Sequence, residues 1–364
     1  MTKVIQITLL LTASLFLSMN SVYSQTEIVV ENVYKDITVT GLCSDGTNVW
    51  FATQGKGIIK HNIKSGKQTE YSTKSSNIQL DFFYCIDAND KYVFAGSADG
   101  LLIFDKKRNK WSKRKFGKGG QLGNWIRAIE YDKADDVVWI GRFKYLTKFD
   151  IKKRRFTDFD LTVDGNLKSN IIKTISVDGD SLVWFGTEAG LHKYNKSKSE
   201  NIYDALYFYD NKFNYFRGQG ETVSVASLEV EQNNIWIGLD EFVTEDNPDY
   251  NVGGLYRYNR KNEWKKYEMN TGLSGNGVFC LERTGKFIWA GLYQFGKTSK
   301  EQYGRGLAII NTLTGKVQLI RDQQLPESIF DILFDGTNIW LATSKGVFKI
   351  NLTNQFGIFT KVKR

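Results

Sequence analysis

Proline is nearly absent: Pro248 and Pro326 are the only two in 364 residues. Such scarcity leaves long stretches free for strand pairing, because proline interrupts a hydrogen-bonded ladder. Histidine is equally rare. His61 and His192 each fall beside or within a recurrent strand pattern and are expected on strand surfaces rather than as catalytic bases. The three cysteines, Cys43, Cys85 and Cys280, form an odd set without any Cys-x-x-Cys spacing. A fully disulfide-stapled fold and a cysteine zinc site are thereby excluded. Their offsets from recurring aromatic positions share one parity, which predicts buried thiols on one type of strand face. No Gly-x-Ser-x-Gly elbow or His-Glu-x-x-His motif occurs, so neither a serine hydrolase nor a zincin is indicated.

Residues 1–24 have the layout of a cleaved secretory signal peptide. Lys3 supplies the positive start, residues 5–19 are mostly apolar, and Val22-Tyr23-Ser24 precedes Gln25. The apolar core is shorter than the ~20 residues a membrane span needs, and no later stretch is apolar enough to cross. The reading is a signal peptide over 1–24 and one domain over 25–364, secreted or periplasmic, with no membrane insertion. The formal charge is +9, yet Lys and Arg sit scattered in turns such as Lys106-Lys107-Arg108. Acidic glycans or envelope surfaces fit such a chain better than nucleic acid does.

What the chain has in abundance is one aromatic phrase. NVWFAT (48–53), YVFAGS (92–97), VVWIGR (137–142), LVWFGT (182–187), NIWIGL (234–239), FIWAGL (287–292) and NIWLAT (338–343) recur at the period of propeller blades. Six of the nine tryptophans hold one position, with Phe94 in the seventh copy. A ligand site would not need the residue seven times, so these aromatics are read as core. Each repeat parses into four short antiparallel strands bounded by Asn, Gly and Asp turns. Asp45-Gly46, Asp178-Gly179 and Asp335-Gly336 mark first hairpins, and GLLIFD, GLYRYN, GLAIIN and GVFKIN mark third strands. The fold expected is all-β, a seven-bladed propeller of four-stranded antiparallel blades.

The pattern Asn-x-(Val/Ile), Trp-(Ile/Phe)-Gly-Thr, then Gly-Leu resembles the two-component regulator propeller repeat of periplasmic sensor regions in bacterial hybrid histidine kinases. Asn170-Ile171-Ile172, Trp184-Phe185-Gly186-Thr187 and Gly190-Leu191 carry it well. The resemblance implies a seven-bladed ring and a recognition role; no kinase-like or DNA-binding segment accompanies it in this sequence.

Two features leave alternatives. Ring closure is expected from residues 356–362 as the outer strand of blade seven, with 27–33 docked nearby, although 27–33 would also pair there. In blade four, residues 205–210 are taken as the third strand, which places an insertion over 188–204; the rival takes 190–195 as the third strand and moves the insertion to the opposite face. Longer insertions at 240–253 and 293–305 belong to blades five and six.

Function is sought where the repeat breaks. The long loops of blades four to six predict a ligand face carrying Asp246, Tyr250, Tyr293, Phe295, Tyr303 and Arg305, a mixture of aromatic and charged groups suited to a glycan, peptide or protein ligand. The central channel is a second candidate, through Trp125, Arg127, Lys173 and Asp331. Residues 245–251 alternate oxygen-bearing side chains as calcium loops do, but lack the turn glycine and the distal bidentate glutamate, and no cofactor is expected. The leading reading is a monomeric binding protein. A propeller lyase or hydrolase working through residues such as Arg127 or Asp331 is the alternative, and an envelope assembly scaffold a further one.

Overall fold

The structure is a computed structural model that describes residues 30–320 and 322–352. The expected signal peptide at 1–24 lies outside them. Seven sheets of four antiparallel strands follow one another around a ring. Strands A to D run outward within each blade, as in Val39–Ser44, Asn48–Thr53, Ile58–Asn62 and Gln68–Tyr71 of blade one. The A strands of adjacent blades touch each other all the way round.

The aromatic phrase is strand B, and its function is to join blades. Seven apolar clusters fill the seven blade interfaces, and each holds one of the recurring aromatics packed on the following blade. Trp50, Trp139, Trp184, Trp236, Trp289 and Trp340 are each at most 1% exposed. Burying such a ring contributes up to ~4–6 kcal/mol. The small residue after the aromatic serves the same joint. A Cβ on Gly186 would lie 2.6 Å from Val225 Cγ1, and one on Gly238 would lie 2.5 Å from Val278 Cγ1. A branched side chain of the next A strand therefore fills the notch that glycine leaves.

Each indole also needs a partner for its buried N–H. The A–B turn supplies it: Asp45 for Trp50 (2.9 Å), Asp132 for Trp139 (3.4 Å), Asp178 for Trp184 (2.9 Å), Glu231 for Trp236 (3.3 Å), Thr284 for Trp289 (2.7 Å) and Asp335 for Trp340 (2.7 Å). Blade two has Phe94, which donates nothing, and its turn carries Asn89 instead. Three of these acids are clasped by a cation from the next blade: Lys106 on Asp45 (2.8 Å), Lys196 on Asp132 (2.5 Å) and Arg260 on Asp178. Burial opposes ionisation of Asp45, but hydrogen bonds from Lys106, Trp50 and Asn48 win and hold its carboxyl down to about 2.

Two expectations are corrected. The outermost strand of blade seven is the N-terminal Val30–Lys35, paired from Val30↔Ile350 to Lys35↔Gly346, with Glu31 and Lys349 bridged at 2.6 Å. The place assigned to 356–362 is therefore filled, and 356–362 lies outside the described residues. Joining the start of the chain to its last blade protects the edges that an open ring would leave. In blade four, Gly190–Asn195 is the third strand and Leu206–Tyr209 the fourth. A Cβ on Gly190 would lie 2.4 Å from Tyr209 O, so the fourth strand lies directly against it. The extra residues, 196–205, consequently join strands C and D on the A–B face. Among the described residues, only blades five and six lengthen their B–C hairpins on the opposite face.

The histidines are corrected as well: both are buried inside third strands. His192 Nε2 bonds Ser169 O at 2.9 Å, and burial lowers its imidazole to about 4. Cys43, Cys85 and Cys280 are free thiols pushed up by burial.

Candidate functional site

The B–C loops and the D-to-A connections open on one face, where the repeat is most altered. In blades one to four and seven, strand B is six residues long; in blades five and six it runs to nine, as Asn234–Phe242 and Phe287–Phe295. The insertions anticipated as loops are thus mostly extended hairpins, still paired at Phe242↔Asn251 and Phe295↔Gln302. The chain's two prolines both lie on this face, Pro248 in the first hairpin's tip and Pro326 in the connection into blade seven.

The two hairpins support each other. The Phe242 and Phe295 rings lie 4.6 Å apart, and Glu241 Oε2 accepts the Phe295 N–H at 2.7 Å. Tyr293 is fully buried. Its hydroxyl donates to Asp240 Oδ1 at 3.1 Å and accepts the Glu241 N–H at 3.0 Å. Tyr293 and Phe295, expected to touch ligand, instead form the base on which the hairpins stand. Tyr250 reaches outward, and its hydroxyl and ring meet the Lys168 ammonium. Asp246 is exposed at the tip. Of the alternating oxygen side chains, Glu245 accepts from Thr298 and Asn251 from Ser224 N, so these two are turned to different neighbours.

Tyr303 and Arg305 come together on the outer flank of the blade-six hairpin. They form one wall of a groove of about 580 Å³, facing Ser344 and Lys345 of blade seven over a floor of residues 325–328. Tyr303 is 45% exposed. Arg305 occupies a β-bulge, where pairing jumps from Gly291↔Leu307 to Tyr293↔Gly304; bulges of this kind re-aim a side chain. Its Nε and Nη2 both donate to Gln294 Oε1, at 3.1 and 2.6 Å. The floor is close-packed, since a Cβ on Gly304 would lie 2.5 Å from the Glu327 backbone.

The channel mouth gathers the other predicted residues. Six A strands carry a bulge at their first turn; in blades three and four the extra residue is Arg127 or Lys173. Trp125 stacks on Phe143 (5.1 Å, 12°) beside Tyr84 (5.6 Å). Arg127 pairs with Glu188 at 2.6 Å and lies over Phe143. Lys173 pairs with Asp240, which also accepts from Ser224 at 2.5 Å. Burial works against Asp240 ionising, but Lys173, Ser224 and Tyr293 outweigh it and keep the carboxyl below its ordinary value. Lys173, Asp240 and Tyr293 thereby tie the channel mouth to the hairpin base. None of these three residues lines the groove, although Gly304 of its wall pairs with Tyr293.

Deeper in the ring, Asp331 accepts the Leu42 N–H across the blade-seven joint at 2.7 Å. It belongs to a set whose other members sequence reasoning missed. Asp87, Glu130, Glu229 and Glu282 each lie opposite the strand-B aromatic of their blade, and Asp87 accepts the Tyr131 N–H of the next blade at 2.6 Å. Burial raises Asp87 to about 6 and both Glu229 and Asp331 to about 7, and it raises Glu130 and Glu282 as well. The signal was present as acids seven or nine residues before the aromatic.

Comparison with known proteins places this geometry. No protein-family model matches the chain. The fold is that of extracellular propeller domains of two-component systems. The extracellular domain of the putative hybrid two component system BT4673 from B. thetaiotaomicron aligns at 19% identity and a TM-score of 0.66, over 88% of this chain and 39% of that one. Virginiamycin B lyase from Staphylococcus aureus aligns at 14% identity and a TM-score of 0.65, over 90% of this chain and 100% of its own. At the level of sequence, Histidine kinase P4 of Formosa agariphila is 23% identical over 175 residues, 45% of this chain and 13% of that protein. The chain thus spans a minor part of the two-component proteins it matches. Among the described residues no helix is long and apolar enough to cross a membrane.

Proposed function

We propose that the chain is a secreted or periplasmic recognition propeller that holds a glycan or peptide ligand on its B–C face. The groove between the blade-six hairpin and blade seven carries this reading. It joins an exposed aromatic ring, two cations and backbone edges in one concavity of about 580 Å³, within the ~300–1,000 Å³ usual for ligand sites. The likeness to extracellular domains of two-component systems supports a recognition role.

On this reading the ligand is held between blades six and seven rather than on the rim of blades four to six. Tyr303→Ala combined with Lys345→Ala should abolish binding in a glycan-array or calorimetric screen while leaving the melting temperature unchanged. Undiminished binding by that double variant would remove the groove from the account.

A further inference from the structure

Arg305 is an arginine held by an amide rather than by an acid. Its guanidinium is clamped by the neutral amide of Gln294, and among the described residues no carboxylate lies within ion-pairing distance of it. Five cations of the A–B clasps and the channel mouth are held differently: Lys106, Lys196, Arg260, Arg127 and Lys173 each hold an acid. Arg305 is thus fixed in direction while its charge stays uncompensated.

Three observations fix that direction. The bulge at Arg305 turns the side chain out of the ordinary strand alternation. Gly306 follows with φ +74°, a conformation that glycine adopts freely, and its N–H donates to Glu327 O at 2.8 Å. The Arg305 stem passes over Gly275, where a Cβ would lie 3.1 Å from Arg305 Cγ. The opposite wall adds Lys345, exposed and likewise without an acid partner among the described residues. Only Glu327 opposes these two cations in the lining.

We infer that the groove selects a pyranose carrying an oxyanion, with Arg305 as its specificity-determining contact. This rests on the groove being the ligand site. A guanidinium held on one edge by an amide keeps N–H donors free, and they suit a planar carboxylate or a sulfate ester. The exposed Tyr303 ring beside it offers a flat apolar face for the sugar. The rest of the lining combines Gln302, Ser328 and Ser344, which are partners for hydroxyl groups, with the apolar Leu325 and Pro326, which add contact area for a sugar ring. Glu327, the one acid of the lining, is placed to accept from sugar hydroxyls.

The test titrates the full chain calorimetrically with trigalacturonate, a 6-sulfated galactotriose and neutral galactotriose, for the unaltered protein, Arg305→Gln and Tyr303→Ala. The anionic sugars should bind the unaltered protein roughly tenfold or more tightly than the neutral one, a margin that Arg305→Gln removes and added salt erodes. Tyr303→Ala should weaken all three alike. The two anionic arms separate a carboxylate from a sulfate source, and selective binding of either one, lost in Arg305→Gln, supports the proposal. Equal binding of charged and neutral sugars, unchanged by Arg305→Gln but lost in Tyr303→Ala, would overturn the anion selectivity and leave the groove intact. Binding that neither substitution alters would overturn both.

Discussion

The two faces of this ring are built from the same repeat, and the A–B clasps and the blade-six groove use charge differently. On the A–B face, acids at the hairpin turns satisfy the indoles, and cations from the neighbouring blade close over three of them. On the B–C face, two hairpins outgrow the repeat, and Arg305 and Lys345 face a groove with no acid of their own. Groups spent on holding blades together are unavailable to a ligand. Cations at the channel mouth of the B–C face are paired as well, so the contrast sets the groove, rather than the whole face, apart from the scaffold.

The largest effect should come from opening a clasp. Asp132 is fully buried beneath Lys196, so Lys196→Met strands a buried carboxylate and should cost about 3 kcal/mol in a denaturant titration. Tyr293→Phe tests the base of the B–C face. It removes a hydroxyl that both donates to Asp240 and accepts from Glu241 N, and should cost about 1–2 kcal/mol while leaving the groove side chains in place.

pH sharpens the comparison, because the A–B face and the channel titrate in opposite senses. Asp45 is depressed to about 2, so its contribution is present above the ordinary carboxylate pKa and lost as pH falls through the acid range. Asp87, Glu229 and Asp331 are raised to about 6 or 7. Their contribution is complete below the ordinary carboxylate pKa and lost as pH rises through 6 to 7. The melting temperature should therefore peak in mild acid and decline toward pH 8. Glu229→Gln should flatten that decline and raise the pH 8 value by about 2–4 °C; an unchanged decline would contradict the channel assignment. The smallest effect belongs to Arg305→Ala, which should change stability by no more than about 0.5 kcal/mol because the residue is exposed and pairs with no acid. A loss of several kcal/mol there would make Arg305 part of the scaffold.

How much of this was legible depended on whether a feature repeats. Trp50 and its six counterparts gave the blade count because one position recurs at a fixed period. The first strands were placed from the same register, as at Gly277–Thr284. Ring closure was not legible, since residues 27–33 and 356–362 both alternate like outer strands and only three-dimensional adjacency chooses between them. Blade four was misread because Leu206–Tyr209 is as strand-like as Gly190–Asn195, and both read as third strands. Tyr303 and Arg305 share a groove, but Tyr293 and Phe295, two residues apart in the same hairpin segment, are core. Sequence placed all four in one insertion; it could not assign them to the packed or the open side of a hairpin whose bulge shifts the alternation. The channel acids other than Asp331 were missed because five blades supply one each, and they form a set only when the ring closes.

The central claim is that the B–C face binds and the A–B face holds. Thermal-shift measurement of the unaltered protein, Tyr303→Ala/Lys345→Ala and Lys106→Met against a panel of charged and neutral oligosaccharides tests it most directly. The predicted result is at least one sugar that raises the melting temperature of the unaltered protein and of Lys106→Met by similar amounts and leaves the groove variant unmoved. A shift that persists in the groove variant and vanishes in Lys106→Met would contradict it.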